Sequence, residues 1–267
     1  MGSQLTVETL AEGVAELAKR DRHLAAVVAR HGPPPLWDRP TGFGTLVQII
    51  LEQQVSLSAG RAAYGRLERV AGAVTADRIA VLQESDLRSA GLTRQKSGYI
   101  RELARAIVAG RFDPDGLSEM DDETAREALI GLKGIGAWSA DIYLLMALLR
   151  SDIWPNGDLA LVAALREVKR MRTTPDLDRI RRVTNTWRPW RAVAARLLWH
   201  HYLSTPRTRT KVSGATPSSP RTPARTRRPA PRGRPPGDRS RAPSRARAAA
   251  ASSRSTARTP RGGRTRA

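Results

Sequence analysis

The sequence predicts an all-α domain over residues 1–205, followed by a disordered basic tail over residues 206–267. Three observations lead to this fold class. Apolar residues recur at helical spacing through most of the first 205 residues. No segment there alternates apolar and polar residues as a half-buried strand would. The residues after 205 are almost only Arg, Pro, Ala, Ser, Thr and Gly, so they cannot bury enough apolar surface to offset the entropy of ordering.

The predicted helices follow one another with short connections. The first helical segment has apolar residues at i, i+3 and i+4 spacing and ends at Gly32, directly before three prolines. The later segments repeat this pattern, and several of them also end at a glycine. The pattern predicts about ten helices. The helical segments are residues 7–32, 45–55, 57–72, 96–110, 123–134, 137–150, 159–171, 176–187 and 189–203.

The positive charge of the chain is concentrated in the tail. The formal net charge is +21, and 18 of the 46 Lys and Arg residues lie after residue 205 with only one acid, Asp238. The folded region is therefore only mildly cationic. A tail of this kind is typical of a polyanion partner such as nucleic acid, and compositional drift toward arginine explains it equally well.

Several classes of protein are excluded by what the composition lacks. The chain has no cysteine, so disulfides, thiolate zinc sites and cysteine-ligated iron–sulfur clusters are ruled out. No apolar run reaches the roughly 18 residues of a membrane span. The first residues show no basic region followed by an apolar one, so no signal peptide is predicted. We expect a cytoplasmic, nucleoid-associated protein that has no membrane partner.

A tight turn between two helices, residues 132–136, has the composition of an anion site. Its sequence is Leu132-Lys133-Gly134-Ile135-Gly136. The two glycines permit a tight turn, and Ile135 between them can anchor the turn in the core. The first amides of the following helix have no intrahelical partner and lie at the positive end of its dipole. The turn can therefore bind a DNA phosphate, and Lys133 adds a cation, although a purely structural helix–turn–helix explains the same residues.

Asp158 stands in the stretch WPNGDLAL, between a turn and an apolar helical segment. It is predicted to cap the helix that begins near Leu159, as Asp often does. Capping and the helix dipole favour a carboxylate, which is a weak base but an effective counter-charge. Capping alone would explain this residue without any chemistry.

Four motifs, taken in order, resemble the helix-hairpin-helix (HhH-GPD) DNA glycosylase superfamily. They are ILEQQVS, GLKGIGAWSADIYLL, WPNGDLAL and TWRPWRAVAARLLW, and they span roughly residues 40–203. The branch most similar to them is the monofunctional 3-methyladenine DNA glycosylase II (alkylbase) type. The resemblance implies two helical subdomains flanking a DNA-binding cleft, with double-stranded DNA carrying damaged bases as the partner. It also implies a monomer.

The resemblance assigns roles at the DNA interface. Asp158 takes the place of the catalytic acid, and Gln54, next to Gln53, falls where the family places a wedge in the gap left by the flipped base. The hairpin residues that would bind the DNA backbone are Leu132, Lys133, Gly134, Ile135 and Gly136. No side-chain metal site and no cofactor are implied. In several family members a monovalent cation, Na⁺ or K⁺, bridges hairpin carbonyls to phosphate; the matching carbonyls are those of Leu132 and Gly134.

The resemblance also assigns a base pocket. Trp138 and Trp199 match pocket tryptophans of the alkylbase branch, with Tyr143, Trp187 and Trp190 as second choices. At the family's further pocket aromatic this chain has Ile142, a departure from the family pattern that leaves the exact substrate range open. A cationic alkylpurine would stack on such electron-rich rings. For each tryptophan, packing in the helical core is the alternative.

The reaction expected from these residues is base excision without strand cleavage. Lyase-type relatives carry a nucleophilic lysine where this chain has Trp138, and Lys133 lies on the wrong side of the first hairpin glycine for that role. The alternatives are a non-enzymatic DNA-binding or architectural protein and a glycosylase for deaminated bases. The cations Arg94, Lys96, Arg188 and Arg191 are candidate phosphate contacts, for each of which a solvated helix face is the simpler interpretation.

Overall fold

A computed structural model describes residues 4–205 and shows an all-helical architecture, which confirms the predicted fold class. Within these residues the only strand-like pairing is an isolated bridge between Gln4 and Arg150. The predicted tail lies outside the described residues. The helices are α1 (Val7–Arg20), α2 (Arg22–His31), α3 (Phe43–Glu52), α4 (Leu57–Ala71), α5 (Ala76–Val81), α6 (Glu84–Ser89), α7 (Arg94–Val108), α8 (Asp122–Ile130), α9 (Ala137–Met146), α10 (Leu159–Val168), α11 (Leu177–Asn185) and α12 (Arg191–Ser204), with a 3-10 turn at Gly116–Glu119.

Two differences from the predicted helices have local causes. The first predicted segment is two helices, because Asp21 is at once the C-cap of α1 and the N-cap of α2, where its carboxylate accepts the backbone N–H groups of His23 and Leu24. Helices α5 and α6 were not predicted. Each has only six residues, too few for an apolar period to be visible. The hydroxyl of Thr75 caps the start of α5, and at the start of α6 the backbone N–H of Gln83 donates to the carboxylate of Asp86.

The helices pack as two groups. Helices α3 to α9 form one group, in which α3 packs against α4, α7 and α9. The helices from the two ends of the described chain form the other, in which α12 packs against α1, α2 and α10. This arrangement agrees with the two helical subdomains implied by the sequence. None of the helices within residues 4–205 combines the length and apolar character needed to cross a membrane.

Arg196, on α12, is fully buried and ties the two groups together. Its Nε donates to the carbonyl of Leu36 and its Nη2 to the carbonyl of Leu145, each at 2.7 Å. Burial lowers the pKa of Arg196 to about 10. The side chain therefore fixes α12 against the end of α9, and α12 carries Trp199 toward the site described next.

Candidate active site

The hairpin between α8 and α9 has the geometry expected for an anion site. Gly134 adopts a φ of +91°, which favours glycine, and Ile135 is buried. The amide of Ile135 donates to the carbonyl of Leu132 at 3.0 Å, which closes the turn. Gly136 is the N-cap of α9 and supplies no side-chain cap. The first amides of α9 therefore remain available at the positive end of the helix.

A second constraint on Gly134 comes from Tyr99 on α7. A Cβ at Gly134 would lie 2.3 Å from the Cδ2 of Tyr99, well inside van der Waals contact. At Gly136, by contrast, an added Cβ would meet no atom within 4 Å. The two hairpin glycines thus have different purposes: the first is required by the fold, and the second leaves the backbone bare.

Asp158 is the N-cap of α10, as predicted. Its Oδ1 accepts the backbone N–H of Leu161 at 2.8 Å. Two indoles also donate to the carboxylate: Trp138 Nε1 lies 3.1 Å from Oδ2, and Trp199 Nε1 lies 3.4 Å from Oδ1. Because all three donors are N–H groups, they fix the orientation of a partly exposed carboxylate.

The predicted pocket rings divide into two sets. Trp138 is half-buried and Trp199 is 9% exposed, and both have their polar edges turned toward Asp158. Tyr143 is not one of the residues that line the cleft described below. It is fully buried, and its hydroxyl accepts the amide N–H of Gly42 at 2.8 Å. Ile142 is likewise buried, on a helix whose residues are buried on almost every side.

The second-choice tryptophan Trp187 also belongs to the core. It is 1% exposed, its ring packs against Trp154 with centroids 5.8 Å apart, and its Nε1 donates to Asp21 at 2.8 Å. Trp190 is half-buried and packs at the edge of the core, with its ring against Gly13 on α1. Packing between helices, the alternative stated for these rings, is what the structure shows for Trp187.

The two glutamines of the predicted wedge point in different directions. Gln54 is exposed and adopts a φ of +58°, in the left-handed region that non-glycine residues rarely occupy. The side chain of Gln53 is turned inward: its Nε2 donates to the carbonyl of Gly134 at 2.9 Å and to Ser139 Oγ at 3.0 Å. Gln53 is therefore not free to act as a wedge, which corrects that part of the prediction.

A cleft of about 440 Å³ lies between the hairpin and the loop that follows α3, which contains Gln53 and Gln54. The start of α7 forms its third wall. Its lining residues are Gln53, Gln54, Gln95, Lys96, Tyr99, Gly134, Ile135, Gly136, Trp138 and Ser139. Trp138 is the link between the cleft and Asp158, because it lines the one and hydrogen-bonds to the other.

Most of the predicted phosphate contacts are engaged in ion pairs. Arg191 Nε lies 2.8 Å from Asp152 Oδ1, and Arg188 Nη1 lies 3.5 Å from Asp152 Oδ2. Lys133 is exposed, with its Nζ 3.2 Å from a carboxylate oxygen of Glu102. Arg94 is also exposed and pairs with an acid on α6. These surface pairs are weak, so DNA phosphate can compete for Arg94 and Lys133.

Beneath the hairpin lies an ion pair that the sequence did not reveal. Asp141 is 3% exposed on α9, and Arg126 on α8 places its Nε and Nη2 each 2.7 Å from Oδ1. Burial raises the pKa of Asp141, and the positive charge of Arg126, which acts to lower the pKa, offsets this only in part. The pair joins the two helices of the hairpin. A lone acid in the apolar run AWSADIYLL was the available signal.

Within residues 4–205 no cluster of His, Asp and Glu side chains is suited to hold a metal ion. The two hairpin carbonyls assigned to a monovalent cation each already accept one hydrogen bond, from Ile135 N–H at Leu132 and from Gln53 at Gly134. A carbonyl oxygen has two lone pairs, so both retain capacity for such an ion.

Residues 47–190 match the family described as HhH-GPD superfamily base excision DNA repair protein. The chain is 31% identical to the DNA-3-methyladenine glycosylase of Bacillus subtilis over 123 residues, which are 46% of this chain and 41% of that protein. It therefore spans less than half of that relative's length.

Two solved structures share the fold. The DNA-3-methyladenine glycosidase of Bacillus halodurans aligns with a TM-score of 0.63 and 27% identity, covering 73% of this chain and 89% of the other. The Schizosaccharomyces pombe 3-methyladenine DNA glycosylase Mag1, solved with abasic DNA, aligns with a TM-score of 0.64 and 22% identity, covering 70% and 95%. At that identity the second likeness shows the fold alone.

Proposed function

Because the chain belongs to the HhH-GPD superfamily of base excision DNA repair proteins, we propose that it is a DNA glycosylase. Its proposed substrates are alkylated purines of the 3-methyladenine and 7-methylguanine type in double-stranded DNA. The observation that carries the proposal is the setting of Asp158, whose carboxylate caps α10 and accepts the indole N–H groups of Trp138 and Trp199. The relatives named DNA-3-methyladenine glycosylase support the same substrate class.

The reaction needs a negative charge at a fixed place. When the bond between C1′ and the base nitrogen breaks, its electrons leave with the base and positive charge develops on the deoxyribose. Water then adds to C1′ and loses one proton to the solvent. A carboxylate held beside C1′ stabilises this charge and orients the water. The carboxylate of Asp158 meets this requirement, because the amide of Leu161 and two indole N–H groups determine where its oxygens lie.

The same site suits a substrate that is already a good leaving group. An N3- or N7-alkylated purine is cationic, and the electrons of the breaking bond neutralise it, so no acid is required to protonate it. The half-buried ring of Trp138 lines the cleft and offers a stacking face to a flipped cationic base. Such a substrate suits a site with a single acid. Within residues 4–205 the hydrogen-bond partners of the Asp158 carboxylate are N–H groups, and no second carboxylate is among them.

We further propose that the enzyme is monofunctional and acts as a monomer. Strand cleavage through a Schiff base requires a free amine near C1′, and the matching position holds Trp138. Neither lysine near the hairpin stands at that position: Lys133 precedes the first hairpin glycine, and the ammonium of Lys96 donates to two backbone carbonyls. All the residues proposed to act come from one chain, so a second copy is not needed to complete the site.

The test is release of methylated bases from a duplex with a single 7-methylguanine, and from dimethyl-sulfate-treated DNA for 3-methyladenine. We expect the full-length protein to release both bases and to leave strand breaks only after alkali treatment. Asp158→Asn should abolish release, whereas Asp176→Asn, at the matched N-cap of α11, should retain it.

Three outcomes would contradict parts of this proposal. DNA binding without base release would favour the architectural alternative. Undiminished release by Asp158→Asn would remove the proposed role of that acid, and strand cleavage without alkali would show a lyase.

A further inference from the structure

Lys96 holds the end of α3 from a neighbouring helix. It lies in the first turn of α7, and its Nζ is 2.8 Å from the carbonyl oxygen of Leu51 and 2.9 Å from that of Gln53. Helix α3 ends at Glu52, so these carbonyls belong to its last turn and to the residue that follows. A cation at this position satisfies carbonyls that have no helical partner and interacts favourably with the negative end of the helix dipole.

The position of Lys96 is unfavourable for α7 itself. A cation in the first turn lies at the positive end of its own helix, and that turn contains no acid. Burial lowers the pKa of Lys96, and no carboxylate within residues 4–205 forms an ion pair with it. The helix dipole and charge pairing within α7 therefore do not explain a cation at this position, whereas its two contacts with the end of α3 do.

The backbone that Lys96 holds is strained at the next residue. Gln53 is extended, and Gln54 then adopts a φ of +58°, a conformation that is unfavourable for a non-glycine residue. A conformation of this kind persists only when its surroundings fix it. Lys96 fixes the carbonyl of Gln53 on one side, and the Gln53 amide group binds Gly134 and Ser139 on the other.

We propose that Lys96 is a positioning residue that presets Gln54 as the wedge: by binding the carbonyls of Leu51 and Gln53, it holds Gln54 in the left-handed conformation that projects its side chain beside the cleft. The inference rests on the proposed function, since a wedge is needed only if a base is flipped. The side chain of Gln53, whose own carbonyl Lys96 holds, also binds Gly134 in the hairpin. The loop that carries Gln54 and the hairpin that would bind phosphate are therefore joined as one rigid unit.

The test measures gap filling without requiring excision. The probe is a duplex with a tetrahydrofuran abasic analogue and a neighbouring 2-aminopurine, whose fluorescence reports insertion of a side chain into the stack. Lys96→Met should weaken binding to this duplex about tenfold, the size expected for loss of a charge-assisted hydrogen bond. Binding to undamaged duplex should change less than about twofold. Arg105→Met, an exposed cation at the other end of α7, is the matched control and should change neither.

A double-mutant cycle separates positioning from other roles. Gln54→Gly removes the side chain and relieves the left-handed strain, so adding Lys96→Met to it should cost less than about twofold. A tenfold loss in both backgrounds would overturn the proposal. So would an equal loss on undamaged duplex with a salt slope lower by about one, because Lys96 would then be a phosphate contact.

Two further measurements keep the result interpretable. Thermal melting of each variant shows whether it is folded at the assay temperature. If Lys96→Met is unfolded at that temperature, Lys96→Gln replaces it, because its amide can donate to one of the two carbonyls. Lys96→Gln should give a smaller loss of affinity for the abasic duplex, and this loss should disappear in the Gln54→Gly background. A loss that persists there overturns the proposal. Failure of the wild-type protein to release bases, with normal wedge insertion, would refute the proposed function and leave this inference intact.

Discussion

The indole Nε1 of Trp138 lies 3.1 Å from Oδ2 of Asp158, so the first turn of the hairpin's second helix is hydrogen-bonded to the proposed catalytic acid. The start of α9 therefore has two roles: its first amides would bind phosphate, and its Trp138 orients the carboxylate that would face C1′. A DNA strand bound at the hairpin would be positioned relative to Asp158 by this contact, without any flexible segment between them.

Replacing Trp138 with Phe tests that contact directly. The variant keeps an aromatic face for the flipped base and removes the N–H that orients the carboxylate. We expect single-turnover release of 7-methylguanine to slow about 10- to 100-fold, as for loss of a hydrogen bond to a charged group. Trp37→Phe, at a half-buried tryptophan that is not one of the hydrogen-bond donors to Asp158, is the control. An unchanged rate in Trp138→Phe would show that the indole serves only as a surface.

The capping and chemical roles of Asp158 can be separated by two substitutions. Asn retains a side-chain oxygen for the amide of Leu161, whereas Ala does not. Asp158→Ala should therefore lower the free energy of unfolding by about 1 kcal/mol, and Asp158→Asn by a few tenths, in urea titrations. Both variants should be inactive. Activity that follows stability, with Asn active and Ala not, would mean that Asp158 is only a cap.

The local features of this site were predictable from sequence, because their signals lie within a few residues. The tight turn at Gly134 and the cap at Asp158 depend on conformational preference and on amides close in the chain. The helices followed from apolar periodicity wherever they were long enough to show it. Helices α5 and α6 were missed because six residues do not make a visible period.

The features that were not predictable are contacts between distant elements. Nothing near Lys96 in sequence indicates that it binds the end of α3, and nothing near Gln53 shows that its amide turns to the hairpin. Tyr143 was a second choice for the pocket because an aromatic ring can stack on a flipped base, yet it is fully buried in the core. Helix α9 is apolar on nearly every face, so its sequence does not show which residues face the cleft and which face the core.

The two hairpin glycines offer a matched pair of substitutions. Gly134→Ala places a Cβ 2.3 Å from Tyr99 at a φ of +91°, so it should cost at least about 2 kcal/mol of unfolding free energy from strain and overlap. Gly136→Ala meets no atom and has an ordinary φ of −94°, so stability should be nearly unchanged. Its methyl group instead obstructs the approach of a phosphate, and affinity for duplex DNA should fall. Equal stability loss in both variants would contradict this division.

Asp21 makes stability depend on pH at the junction of α1 and α2. Burial acts to raise its pKa, but hydrogen bonds from Lys169 and Trp187 and the charge of Lys169 outweigh burial, so the pKa of Asp21 is lowered in the folded protein. A lowered folded pKa means that the contribution is complete above the unfolded value, near 3.8, and is lost as pH falls through the folded value. We expect Asp21→Asn to cost about 2 kcal/mol at pH 7, as for a hydrogen bond to a charged group.

The measurement is urea unfolding of wild type and Asp21→Asn between pH 7 and about pH 3. The difference in unfolding free energy between the two proteins should be constant down to about pH 5 and shrink below that. Protonation of Asp21 removes its charge in wild type and so weakens its contacts with Lys169 and Trp187, whereas Asn is neutral at every pH. Asp178→Asn, an exposed acid on α11, should show no such difference. A gap between wild type and Asp21→Asn that stays constant to the lowest pH would mean that Asp21 contributes through shape and capping alone, with no contribution from its charge.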